Sequence, residues 1–314
     1  MKWFFVVNPQ SGGGKAAREW SKIERILVRE NLSFEAAFTR SPGDALRLVA
    51  EAVEKGFRGI VAVGGDGTVS ETANGILIQR KIPSDQILFA CIPMGSGNDW
   101  ARMYGIPRNY EQAIGLLRKP FTFTQDIGRI TWLDSPGQQI RYFNNIAGFL
   151  FEAFLTEKTL HVDKSGVKGQ FVYILALLKY MFRFRASQVT LRGDDFSESG
   201  PRLLITVGIG KYNGGGMSLV PRSLPHDGLL DITVADDMPA WEILRNILKI
   251  YNGNIYRHPK IRHYRSRSVW IDGDAGLKTE ADGELLGTIP VKIDLIPQAL
   301  CVVVPPSFSI PPSL

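Results

Sequence analysis

Cysteine and histidine are scarce, at two and four residues in a chain of 314. Cys91 and Cys301 lie in the apolar runs "ILFACIP" and "ALCVVVP" with no CxxC partner. They read as buried thiols of a reducing compartment, not as a disulfide or metal framework. The histidines are scattered without HExxH spacing, so a zinc site has no support. No GxSxG elbow is present and no Ser/His/Asp set is suggested, which leaves hydrolase chemistry without a basis. Long apolar runs are missing too. "MKWFFVVNPQ" is too short for a signal peptide, and "FVYILALL" (Phe171 to Leu178) falls far short of the roughly 20 residues a spanning helix needs. These absences predict a cytosolic protein.

What is present is ordinary in proportion and uneven in charge. Hydrophobic residues make up 44% and charged residues 22%, as in soluble globular chains. The net charge is +6 and the isoelectric point near 9.3, which favours an acidic partner: nucleic acid, nucleotide or anionic membrane. Charge alone does not choose among them.

Residues 1–122 alternate between two periods. "WFFVV" precedes "AAREWSKIERILVRE", whose Trp20, Ile23, Ile26 and Leu27 share one helical stripe. "SFEAAFT" precedes "SPGDALRLVAEAVEKG", with Ser41 as N-cap and Pro42 in the first helical position. "GIVAV" and "ILFACIP" each repeat the strand–helix unit. Four units predict a parallel sheet with helices on both faces. After Pro120 strand-like segments dominate, broken by a "SPGQQ" turn and by helical stretches near 151–185 and 239–253. A β-rich second domain is therefore expected over 123–299, with a tail from about 300 to 314 pairing back onto the first domain.

Three glycine-rich turns follow strands in the first domain: "NPQSGGGK" (8–15), "GGDGT" (64–68) and "MGSGN" (94–98). Each alone is a plain strand-to-helix connection. Together they line the carboxyl edge of a parallel sheet, where ligands bind, and glycine lets backbone N–H groups approach a phosphate. None matches a P-loop or a dinucleotide fingerprint. Asp66, inside the second turn, and Asp99, just past the third, would repel an anion unless a cation stood between them. Glycines for phosphates and carboxylates for Mg²⁺ fit a nucleoside triphosphate.

In the second domain "TEADGELLG" (279–287) and "SLPHDGLLDITVAD" each hold an Asp-Gly, a strong hairpin-turn signal. The sharper reading of the first is that Asp282 takes a proton from an acceptor hydroxyl; that of the second is a bound cation. "YRHPKIRHYRSRS" (256–268) crowds five Lys/Arg and two histidines into 13 residues, either as a solvated face or as a dock for anionic headgroups.

Taken together, "NPQSGGGK", "GGDGTVSE", "PMGSGNDWAR", "PHDGLLD" and "ADGELLG" resemble the diacylglycerol kinase catalytic-domain family, which includes bacterial soluble lipid kinases and sphingosine and ceramide kinases. The motifs span roughly residues 3–300; "GGDGT" alone is shared with NAD kinases. The resemblance implies a three-layer α/β nucleotide domain, like those of NAD kinases and phosphofructokinases, plus a C-terminal β-sandwich, with the active site in the cleft between them. It implies that Asn8, Pro9, Gln10, Ser11, Gly12, Thr39, Gly65, Asp66, Gly67, Thr68, Val69, Ser70, Glu71 and Ser96 line an ATP site. Asp66 and Asp99 would organise catalytic Mg²⁺, and Asp282 and Glu284 would activate the lipid hydroxyl. Asp227, with the backbone oxygens of Leu224 and Leu229, would hold a second, structural Mg²⁺. The implied partners are ATP, a membrane lipid such as diacylglycerol and an anionic membrane surface, with no nucleic acid; a homodimer is left open.

Two positions depart from the family pattern. Ala281 stands where relatives carry a larger aliphatic, and His226 where an acid often sits beside the aspartate. The second weakens the structural metal site. The competing expectations are an NAD kinase-type enzyme and a catalytically silent nucleotide- or lipid-binding protein.

Overall fold

The computed structural model describes residues 1–134, 139–159 and 178–309. The "SPGQQ" turn and most of the helical stretch expected near 151–185 lie outside the described residues. The chain forms two compact units: Met1–Gln125 with the returning segment from Gln298, and Asp126–Pro297.

In the first unit the order is β1 (Lys2–Val7), α1 (Ser11–Arg29), β2 (Ser33–Phe38), α2 (Asp44–Glu54), β3 (Gly59–Gly64), α3 (Asp66–Ile78), β4 (Leu88–Pro93), α4 (Asp99–Met103) and α5 (Tyr110–Gly115). The strands are parallel, with β1 between β2 and β3 and β3 beside β4. All six residues of β3 are buried, as expected of a strand covered on both faces. Trp20, Ile23, Ile26 and Leu27 of α1 pack onto Phe5, Val61 and Ile92 in one core cluster. Each such side chain contributes about 1.5–3 kcal/mol on burial.

The second unit forms a largely antiparallel β-sandwich. It runs β5 (Phe121–Trp132, straddling the unit boundary), β6 (Ile140–Phe143), β7 (Ile146–Leu150), α6 (Phe151–Lys158), β8 (Ser187–Arg192), β9 (Ser197–Gly208), β10 (Tyr212–Asn213), β11 (Met217–Ser218) and β12 (Leu230–Asp236). Then come α7 (Ala240–Tyr251), β13 (Ile261–Ser266), β14 (Ser268–Gly273), β15 (Lys278–Ala281), β16 (Glu284–Thr288) and β17 (Val291–Val304). β9 is the organising strand, pairing with β7, β8 and β12. Its alternating residues Ile205 and Val207 join Phe143, Phe149, Leu191, Ile232, Ile271 and Ile293 in the core. β17 pairs with β14 in this unit, and its last residues, in the first unit, lie parallel to β4 through Cys301 and Val302. No described helix is long and apolar enough to cross a membrane.

Candidate active site

The three glycine loops of the first unit are bound to one another. Asn8 Nδ2 donates to Thr68 Oγ1 at 3.1 Å, and Ser11 Oγ lies 3.4 Å from both Thr68 Oγ1 and the Gly65 nitrogen. A β-carbon on Gly12 would stand 2.3 Å from the Met94 carbonyl oxygen, and one on Gly95 would stand 2.7 Å from Gly65 Cα. Gly12 also has φ +63, so the first loop can approach the third only as glycine. Asn98 holds the third loop by accepting from the Gly95 nitrogen (3.0 Å) and donating to the Gly95 oxygen (2.6 Å). Of the residues expected to line a nucleotide, Asn8, Ser11, Gly12, Gly65 and Thr68 meet directly. Thr39 follows β2 with its nitrogen bonded to the Val7 oxygen, while Val69 and Ser70 are buried in α3.

Two acids sit at this junction. Asp66 Oδ2 and Asp99 Oδ2 lie 3.1 and 3.4 Å from the point a Gly97 β-carbon would occupy. Asp66 Oδ1 accepts from the Trp100 nitrogen at 3.1 Å. Burial, and then the Asp99 charge, push the Asp66 carboxyl up to about 6, against three backbone N–H groups that favour its anion. Like charges held together in this way suit a divalent cation completed by phosphate oxygens, the usual Mg²⁺ arrangement. Beside the third loop a concavity of about 460 Å³ is lined by Asn98, Ala101, Arg102, Gly105, Ile106 and Arg108. Arg108 donates to the Gly97 oxygen at 3.1 Å, and Arg102 lies 3.8 Å from Asp99. Neither cation was expected as a site residue: Arg102 closes the motif "PMGSGNDWAR" without an assigned role, and Arg108 lies outside it.

In the second unit Asp282 and Gly283 form the two-residue turn between β15 and β16, both with positive φ (51° and 81°). The plain hairpin reading thus holds. The turn also does more: Asp282 Oδ1 accepts from the Asn145 and Ile146 nitrogens (both 3.1 Å) and Oδ2 from the Asn144 nitrogen (3.0 Å). A carboxylate gripped by three main-chain donors is fixed in direction, as a positioned base requires. Glu284, also expected at the site, is ion-paired with Arg141.

Sequence reasoning missed two buried acids beneath this turn. Glu280 accepts from the Gly283 nitrogen at 2.9 Å. Glu152, on α6, accepts from Thr206 Oγ1 and from Asn213 Nδ2 (3.2 Å). Glu152 Oε2 and Glu280 Oε1 flank the same point, 2.4 and 2.5 Å from where a Gly148 β-carbon would stand, so the two carboxyls are neighbours. Burial raises Glu152 to about 8, which leaves it largely protonated at neutral pH. The one available signal was a lone carboxylate inside the apolar run "GFLFEAFL".

A raised folded-state value means that Glu152's contribution to stability is complete below its ordinary carboxyl range and is lost as pH rises through about 8. Glu152→Gln should remove that dependence, because Thr206's hydroxyl can turn to accept from the new amide. Melting curves from pH 5 to 9 should show the variant gaining roughly 2 kcal/mol or more over the parent toward high pH. Parallel curves would mean that Glu152 does not hold its proton.

Asp227, expected to hold a second Mg²⁺ with the Leu224 and Leu229 oxygens, lies in a loop of the second unit. Asp227 Oδ1 accepts from the Leu229 nitrogen at 3.2 Å, and Oδ2 is ion-paired with Arg265. A guanidinium thus stands beside this carboxylate. The loop is held by a residue that motif reading passed over: Asp126 accepts from the Gly228 nitrogen (2.8 Å) and donates its own nitrogen to the Pro225 oxygen (2.7 Å).

The basic run is partly paired. Arg262 pairs with Glu198 and Asp236, Lys260 with Glu242, and Arg265 with Asp227 and Asp231. Three of its five Lys/Arg side chains are thus paired within the unit.

Residues 2–130 match the model of the diacylglycerol kinase catalytic domain, and residues 155–304 that of the YegS C-terminal NAD kinase beta sandwich-like domain. The chain belongs to the diacylglycerol kinase catalytic-domain family. It is 29% identical over 301 residues to the "Probable lipid kinase YegS-like" of Stenotrophomonas maltophilia (strain K279a), covering 94% of each chain. The like-named protein of Pectobacterium atrosepticum is 29% identical over 308 residues, covering 97% of this chain and 96% of that one. Among solved structures, one described as a diacylglycerol kinase from Bacillus anthracis str. Sterne aligns with a TM-score of 0.72 at 25% identity, covering 98% of both chains. Yeast NADH kinase shares the fold, with a TM-score of 0.56 at 8% identity, covering 97% of this chain and 84% of that one.

Proposed function

We propose that the chain is an ATP-dependent lipid kinase that moves the γ-phosphoryl group of ATP to the primary hydroxyl of diacylglycerol, giving phosphatidic acid and ADP. The observation that carries this reading is the junction of three glycine loops with Asp66 and Asp99 at its centre. The loops offer backbone N–H groups to a triphosphate, and Asp66 and Asp99 are the residues that would hold Mg²⁺. That ion supplies neutralisation of phosphate charge. Asp282 takes the proton of the attacking hydroxyl as the new O–P bond forms and the bond to the β–γ bridging oxygen breaks. Phosphoryl transfer depends mainly on positioning and charge stabilisation, and the three N–H groups that orient Asp282 serve the first of these. The names carried by the relatives support a lipid acceptor, and the protein would act as a cytoplasmic enzyme at a membrane surface.

The test is a radiolabelled ATP assay over a total lipid extract, with the product identified by mass. Mg²⁺-dependent label in phosphatidic acid is the expected result. Label in another lipid would change the acceptor, label in added NAD would move the chain to the NAD kinases, and ATP binding without transfer would mark it as a silent binder.

A further inference from the structure

Helix α7 (AWEILRNILKIY) has an apolar arc wider than its packing uses. On one side Ile243 packs against Leu203, Ala235 and Met238, and Ile250 against Ile146, Met217, Leu219 and Val220. The arc continues onto the outer side, where Trp241, Leu248 and Tyr251 are 61%, 74% and 48% exposed. No residue of the helix is fully buried. Arg245 and Lys249 border this outer stripe, and neither forms an ion pair with any described residue. Glu242, the one acid of the helix, is turned away to Lys260 and His258.

This pattern distinguishes among occupants. A 12-residue helix is about 18 Å long, and one stripe of it falls short of the roughly 800 Å² per partner that a stable protein interface buries. Trp, Tyr and Leu edged by Arg and Lys are instead the residues of helices that lie in a membrane interface, with aromatic bodies among the acyl chains and cations at the headgroups. The neighbouring segment repeats the chemistry: Phe184 packs on the same small cluster as Ile243, and Phe182, 61% exposed, precedes Arg183.

We propose that the outer face of α7, formed by Trp241, Leu248 and Tyr251 with Arg245 and Lys249, is the surface through which this chain docks on an anionic lipid bilayer. The inference rests on the lipid-kinase reading for the reason a bilayer is visited. The binding itself needs no turnover.

The test is flotation of the full-length chain, without nucleotide, on vesicles of phosphatidylcholine with and without phosphatidylglycerol. The parent should float with the anionic vesicles and be released by salt. Trp241→Ser/Leu248→Ser and, separately, Arg245→Glu/Lys249→Glu should each weaken binding roughly tenfold or more, with unchanged melting curves showing that they fold. Arg25→Glu/Arg29→Glu, an equal charge change on exposed positions of α1, should leave binding unaltered. Parent-like flotation of the first two variants would overturn the proposal. An equal loss in the α1 variant would also do so, since net charge would then be the cause. So would a Trp241/Leu248 variant that turns a dimer into a monomer in sedimentation yet still floats. The two readings fail separately: docking through α7 without phosphorylation of any lipid removes the kinase alone, whereas phosphorylation of a short-chain diacylglycerol by a chain whose α7 variants float normally removes the dock alone.

Discussion

Asp282→Asn is expected to lower turnover by roughly 10²–10⁴, the usual contribution of a general base, while ATP binding by the first unit stays nearly intact. The structure adds a second effect. An asparagine presents one acceptor oxygen where the aspartate presents two. With that oxygen kept on Asn145 and Ile146, the Asn144 nitrogen would meet an NH₂ group. An unsatisfied pair of this kind costs about 1–3 kcal/mol, which lowers the melting temperature by about 2–4 °C per kcal/mol in a domain of this size. Activity and melting must therefore be measured on the same preparation. A variant that stays folded and keeps turnover within about tenfold of the parent would end the assignment of Asp282 as base. An unchanged melting temperature would instead mean that the three amide contacts add nothing to stability.

The second large effect is expected to split function from stability. Asp66→Asn should remove most Mg²⁺-dependent activity, because one of two paired carboxylates is lost. The same substitution should stabilise the free protein. Asp66 is held near Asp99 and pushed up to about 6, so its stabilising contribution is complete below its ordinary range and is lost as pH rises through 6. Asparagine carries no charge to repel Asp99 and keeps an oxygen for the Trp100 nitrogen, while sharing one acceptor among the three backbone N–H groups of Asn98, Asp99 and Trp100 trims the gain. Allowing for partial solvent screening, a gain of about 1–2 kcal/mol is expected at pH 7.5 and almost none near pH 4. Thermal melts at the two pH values, with and without Mg·ATP, check this. An Asp66→Asn protein less stable than the parent at pH 7.5 would show that Asp99 and the burial of Asp66 do not strain the site. Such opposed signs are a mark of a functional position, where charge is kept at the expense of the fold.

Sequence and structure differ most where a residue has two roles. "ADGELLG" was legible as a hairpin turn and as an acid, and Asp282 is both, since its side chain reaches the start of β7. Arg102 and Arg108 flank the third loop because α4 and the segment after it fold back there. Helical i,i+3 spacing connects Arg102 to Asp99, but no spacing rule connects Arg108 to the loop. The Asp227 loop carries a contact that its motif does not announce, the ion pair with Arg265 on β13. The run 256–268 reads as free positive charge because its acidic partners, Glu198, Asp231 and Asp236, lie elsewhere in the chain.

The alternation of buried strands with amphipathic helices, the glycine turns that end those strands and the Asp-Gly hairpin could all be read from the sequence alone. Each depends on φ/ψ preference and side-chain period within a few neighbouring residues, which is the range over which sequence acts directly. The neighbouring carboxyls of Glu152 and Glu280, the ion pairs of the basic run and the uncovered outer side of α7 were decided only by the tertiary structure. They depend on burial and on charges brought together from distant segments, and the energy of both is set by what surrounds a group in space.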